Sequence, residues 1–78
     1  MNKNETFYAV TTQQGSSVKL DVRNTTKGSI IKTYRFPGKI EGHPVISGDT
    51  VTITVTIGIL KKAFIQNIRT GRKIERSL

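Results

Sequence analysis

Residues 50–57 read TVTITVTI. Valine and isoleucine take every second position, threonine takes the others, and no charge interrupts the run. A period of two puts Val51, Ile53, Val55 and Ile57 on one side of an extended chain and Thr50, Thr52, Thr54 and Thr56 on the other. The chain is therefore expected to fold around a half-buried strand. The same run is β-prone and uncharged, which makes it hazardous as an exposed sheet edge. It belongs at the centre of a sheet, or against the same strand of a second copy, which would make a homodimer.

Three more runs alternate in the same way. VKLDVRN (18–24) sends Val18, Leu20 and Val22 inward and Lys19, Asp21 and Arg23 outward. ETFYAVTT (5–12) and IIKTYRF (30–36) alternate less cleanly. Turn signals separate these runs: QQGSS (13–17), TTKGS (25–29), FPGKIEGHP (36–44), SGD (47–49), Gly58 and RTGRK (69–73). Short β-favouring runs between such punctuation read as an antiparallel domain. TTQQGSSVKLD and TTKGSIIKT share a Thr-Thr, Gly-Ser, strand order, as successive hairpins of a meander would.

Residues 58–78 admit two readings. As a helix over 59–68, Ile59, Leu60, Ala63, Phe64 and Ile68 would line one face. As a hairpin, Phe64, Gln66 and Ile68 would pair across RTGRK with Ile74, Arg76 and Leu78. No capping residue immediately precedes Ile59, and three isoleucines weigh against a helix. The hairpin is favoured. The expected fold is all-β, a small antiparallel barrel or tight sandwich of five to six short strands, OB- or SH3-like in size. A short helix at 59–68 is the alternative.

The chain of 78 residues is read as one domain, 1–78, with residues 1–4 a disordered N-terminus. A domain of this size buries only about 60% of its unfolded surface, so its core is small. Phe7 and Phe64 are assigned to that core. There is no cysteine, which removes disulfides and thiolate metal sites. The N-terminus lacks the apolar stretch of a leader, and no window is long and apolar enough to cross a bilayer. These features suggest a soluble, cytoplasmic protein with no membrane partner, a viral or plasmid origin being left open.

Little here suggests an enzyme. The single histidine, His43, sits between Gly42 and Pro44, and a general base needs a partner and a pocket. The five acids are scattered, and neither a phosphate-binding glycine loop nor a metal motif occurs. No catalytic residue, cofactor or metal is implied.

Charge carries the functional argument. Thirteen Lys and Arg against five Asp and Glu give a net charge of +8 and a pI near 10.3. A small basic domain is the usual footprint of a polyanion partner, most often nucleic acid. KTYRFPGK (32–39) interleaves cations with rings, so Lys32, Tyr34, Arg35 and Lys39 are expected to form a stacking and phosphate surface. From position 61 on, six of the thirteen basic residues meet a single acid. Lys61, Lys62, Arg69, Arg72, Lys73 and Arg76 are therefore expected to supply backbone contacts. Single strands are favoured over duplex, since no recognition helix or zinc finger is evident. The reading from a different class is a structural or interaction module, such as a virion component or an inhibitor of a host protein, associating through β-sheet faces. An acidic protein partner held by charge is a third option.

Overall fold

The computed structural model describes residues 7–78, which form seven strands. They are β1 (Phe7–Gln14), β2 (Ser17–Asn24), β3 (Ile30–Pro37), β4 (Lys39–Ser47), β5 (Thr50–Ile57), β6 (Leu60–Asn67) and β7 (Lys73–Ser77). The expected disorder of residues 1–4, and the start of the first strand at residue 5, lie outside the described residues. Strands β1-β2-β3 make one antiparallel sheet and β4-β5-β6-β7 another. Among the described residues there is no helix, so none is long and apolar enough to cross a membrane.

The expectations are refined in three ways. The sheets do not close on each other, so the fold is sandwich-like rather than a barrel. Within the segment 59–68, Leu60–Asn67 is strand, as the isoleucines suggested, and the helix alternative is excluded. Among the described residues there are seven strands, not five or six, because 39–47 is a strand rather than part of a long turn. Gly42, His43 and Pro44 fall where the β4–β5 register shifts between Glu41 and Val45. A bulge absorbs residues that an unbroken ladder would reject.

Three connections are two-residue turns that open with glycine: Gly15-Ser16, Gly48-Asp49 and Gly58-Ile59. Each glycine has positive φ while its follower does not, the pattern of tight hairpin turns whose twist suits the flanking strands. The other two hairpins share a second device. Asn24 Oδ1 accepts bonds from the N–H groups of Thr26 and Lys27. Asn67 Oδ1 accepts them from Arg69 and Thr70. In both loops a glycine four residues after the asparagine donates back to the asparagine carbonyl, Gly28 to Asn24 and Gly71 to Asn67. The internal echo of the chain is thus better written NTTKG and NIRTG than as the Thr-Thr pairs.

Both sheets turn their apolar faces inward. Phe7, Ala9, Val18, Leu20, Val22 and Phe36 come from the first, and Val51, Ile53, Val55 and Phe64 from the second. Phe7 and Phe64 are buried as assigned. Phe36 joins them, its ring centroid 5.1 Å from that of Phe64 at a tilt of 33°. β5 lies between β4 and β6 with both edges hydrogen-bonded. The homodimer through strand 50–57 therefore cannot form by edge pairing, because no edge of that strand is open.

The chain crosses from one sheet to the other at Gly38, between Pro37 and Lys39. A clip reinforces the corner: Gln13 Nε2 donates to the Gly38 carbonyl at 3.0 Å, and Gln13 Oε1 accepts from Ile40 N–H at 2.8 Å. β1 is thereby held beside β4.

Candidate nucleic-acid interface

Strand parity decides which side chains reach solvent, and it scatters the expected contact residues over both sheets, the β3 edge, the β6–β7 loop and the rim of the core. Arg35 lies on the outer face of the three-stranded sheet, in a row with Lys19 and Thr12. Its guanidinium donates to Gln14 Oε1 at 2.6 Å. Lys32 is exposed on edge strand β3, opposite Val22. Lys39 and Lys61 flank Thr56 on the outer face of the four-stranded sheet, and Arg76 lies one row on, beside Ala63. Arg69 and Arg72 occupy the β6–β7 loop.

Lys62 and Lys73 have the opposite parity and sit where β7 rims the core. Lys73 Nζ lies 5.7 Å from the ring centroids of both Phe36 and Phe64, a cation–π lid over the aromatic pair.

Tyr34 departs most from expectation. It shares parity with Phe36 and packs against the core cluster. Its hydroxyl is buried without a hydrogen-bond partner among the described residues. Burial pushes that hydroxyl above its ordinary pKa, since a phenolate there would lose hydration. The ring is thus only partly exposed, with its hydroxyl turned into the core. Lys32 shares that parity near the end of an edge strand, where a lysine head reaches water, so its presence did not signal an open face.

The aromatic ring that does face outward is Tyr8. It stands opposite Arg23 in the three-stranded sheet and is half-buried. Lys19, Arg23 and Arg35 share this outer face. The residues that the basic-aromatic motif missed could have been found from parity: with Phe7 and Ala9 turned inward, Tyr8 and Val10 must turn out. Asp21 is the acid on this face, only 6% exposed, held by Lys19 at 3.7 Å and by the Thr33 hydroxyl at 2.9 Å.

The other described acids are also engaged. Glu41 meets Lys61 at 3.6 Å, Asp49 meets Arg69 at 3.0 Å and Glu75 meets Lys62 at 2.8 Å. Among the described residues, Arg23, Lys27, Lys32, Arg35, Lys39, Arg72, Lys73 and Arg76 form no ion pair with an acid. Positive charge is therefore left over on both outer faces and at the β6–β7 loop.

No known family matches the chain, and no curated protein or solved structure does. The electrostatics and geometry of the surface therefore carry the functional reading. His43 is exposed in the β4 bulge, and no three metal-ligating side chains converge among the described residues.

Proposed function

We propose that the protein is a non-enzymatic nucleic-acid-binding module with weak sequence preference, favouring single strands. The observation that supports this is the exhaustion of acidic side chains: each described Asp and Glu already faces a cation, and eight cations remain without one. Such a surface attracts phosphates from many directions and offers bases little that is specific. Arg35, Lys39, Arg72 and Arg76 hold the backbone, with Lys32 at the β3 edge. Lys61, Lys62 and Arg69 contribute once their exposed ion pairs exchange for phosphate. Tyr8, rather than Tyr34, is the ring available for stacking, worth about 1–3 kcal/mol per base.

The test is fluorescence anisotropy with labelled single- and double-stranded oligonucleotides across a salt series. With about five phosphate contacts on a single strand, affinity falls about 100-fold between 50 and 200 mM salt. Absence of binding at the lowest salt ends this reading.

A second reading has its own observation. Val45, Thr52, Ile65 and Ile74 form one cross-strand row on the outer face of the four-stranded sheet. Val45 is 54% and Ile74 52% exposed, and no charge interrupts the row. That face could seat another sheet, as an assembly component requires. Light scattering of nucleic-acid-free protein separates the readings. A monomer is expected, and an oligomer broken by Ile74→Asp favours assembly.

A further inference from the structure

The three glycine-led hairpin turns are close in form but not in their second residue. Ser16 and Asp49 occupy that position in two of them, and Ile59 occupies it in the third. Small polar residues are what such turns ordinarily carry. Ile59 is 98% exposed, the next residue, Leu60, is 58% exposed, and both project from the end of the β5–β6 hairpin. Leu78, 71% exposed, is fixed alongside by a bond from its N–H to the Lys61 carbonyl at 2.9 Å. Neither turn geometry nor core packing calls for an isoleucine at this tip.

Cations stand directly behind it. Lys39 and Lys61 occupy the first outer-face row after the tip, and Lys62 emerges on the opposite face. Lys61 pairs with Glu41 at 3.6 Å, but their side chains are 60% and 43% exposed. A pair so open to water contributes little and yields readily to a phosphate.

Resting on the nucleic-acid reading above, we propose that the β5–β6 tip is an apolar wedge that enters between neighbouring bases of a duplex. Ile59 and Leu60 unstack a base step while Lys39 and Lys61 hold the phosphates on either side. Isoleucine and leucine are among the residues that act in this way. Two antiparallel strands lie only about 4.8 Å apart, so a hairpin presents a narrow blade. The wedge opens paired strands, and the remaining basic surface holds the single strand released. An anionic lipid surface offers the same phosphate chemistry, but tryptophan and tyrosine are the residues enriched at bilayer interfaces. No aromatic residue stands at this tip.

The experiment uses a duplex carrying 2-aminopurine, whose fluorescence rises when it is unstacked, at low salt and saturating protein. The full chain raises the signal several-fold. The double variant Ile59→Ser, Leu60→Ser loses that rise, keeps its affinity for a labelled single strand and keeps its melting temperature. Ile59→Ser alone gives an intermediate signal, and serves if the double variant folds poorly. The wedge is overturned if the protein binds the duplex without unstacking it, or if the double variant unstacks it as fully. Loss of vesicle binding in the variant, with the duplex signal unchanged, overturns it in favour of anionic lipid. Absence of any nucleic-acid binding defeats the underlying reading as well, and the anisotropy series identifies that case separately.

Discussion

Phe64→Ala is expected to bring the domain to the edge of unfolding at room temperature. Phe64 is 1% exposed, lies on the central side of the β6 ladder and stacks on Phe36. Removing a buried phenylalanine costs about 3–5 kcal/mol in lost transfer and residual cavity. A domain of this length has about 4–12 kcal/mol in total, at the usual stability per residue. The substitution also leaves the Lys73 ammonium over one ring instead of two. Urea denaturation followed by far-ultraviolet circular dichroism is the measurement, and the midpoint should fall close to zero denaturant. A loss in melting temperature well below about 12 °C would show that the aromatic pair is not the centre of the core.

Gly38→Ala is expected to be the most damaging of the glycine substitutions, for reasons that the glycines of the two-residue turns do not share. Gly38 has φ of +99°, and a Cβ there would lie 2.8 Å from the Thr56 carbonyl oxygen and 2.8 Å from Ile57 Cγ1. The isoleucine can turn aside, but the carbonyl belongs to the central strand of the second sheet and cannot. Gly38 N–H also donates to Ser16 O at 2.8 Å, so any shift breaks the contact between the first hairpin and the corner. Gly15 and Gly48 also have positive φ, +61° and +58°, but nothing lies within 4 Å of the added carbon. Alanine at those two sites costs about 1–2 kcal/mol, the left-handed penalty alone. Alanine at Gly38 should exceed both, and thermal melts of the three single variants give the order. Equal losses at all three would mean that the corner relaxes around the methyl group.

These contrasts indicate how much was legible in the residues. TVTITVTI needed no context: its alternation placed Val51, Ile53 and Val55 inside, and its lack of charge placed it between two partners. VKLDVRN was equally plain. KIEGHPVIS was not, because Gly42 and Pro44 announce a turn locally and only the register of β5 shows the bulge that accommodates them. Barrel and sandwich could not be separated, since closure depends on which strands meet across 30 or more residues. At the candidate interface the cations were read correctly as an excess but not as a map. Tyr34 was misplaced because the lysine on its side of β3 suggested an open face, whereas an edge strand lets Lys32 reach water while the ring two residues on lies against the core. Tyr8 was left out of the expected contact surface although its parity sets it opposite Phe7. The cations around it, Arg23, Lys19 and Arg35, come from β2 and β3.

The topology has a kinetic consequence. Every strand pairs only with the strand before or after it in the chain, and each sheet is one uninterrupted stretch on either side of Gly38. The hairpins can form without waiting for distant partners, leaving the docking of two meanders as the main non-local event. Folding speed in small domains follows the mean loop that contacts must close. This chain therefore spends less of its folding time as unpaired strand than a Greek-key domain of equal size, and TVTITVTI, its most aggregation-prone run, is covered early by the turns at Gly48 and Gly58.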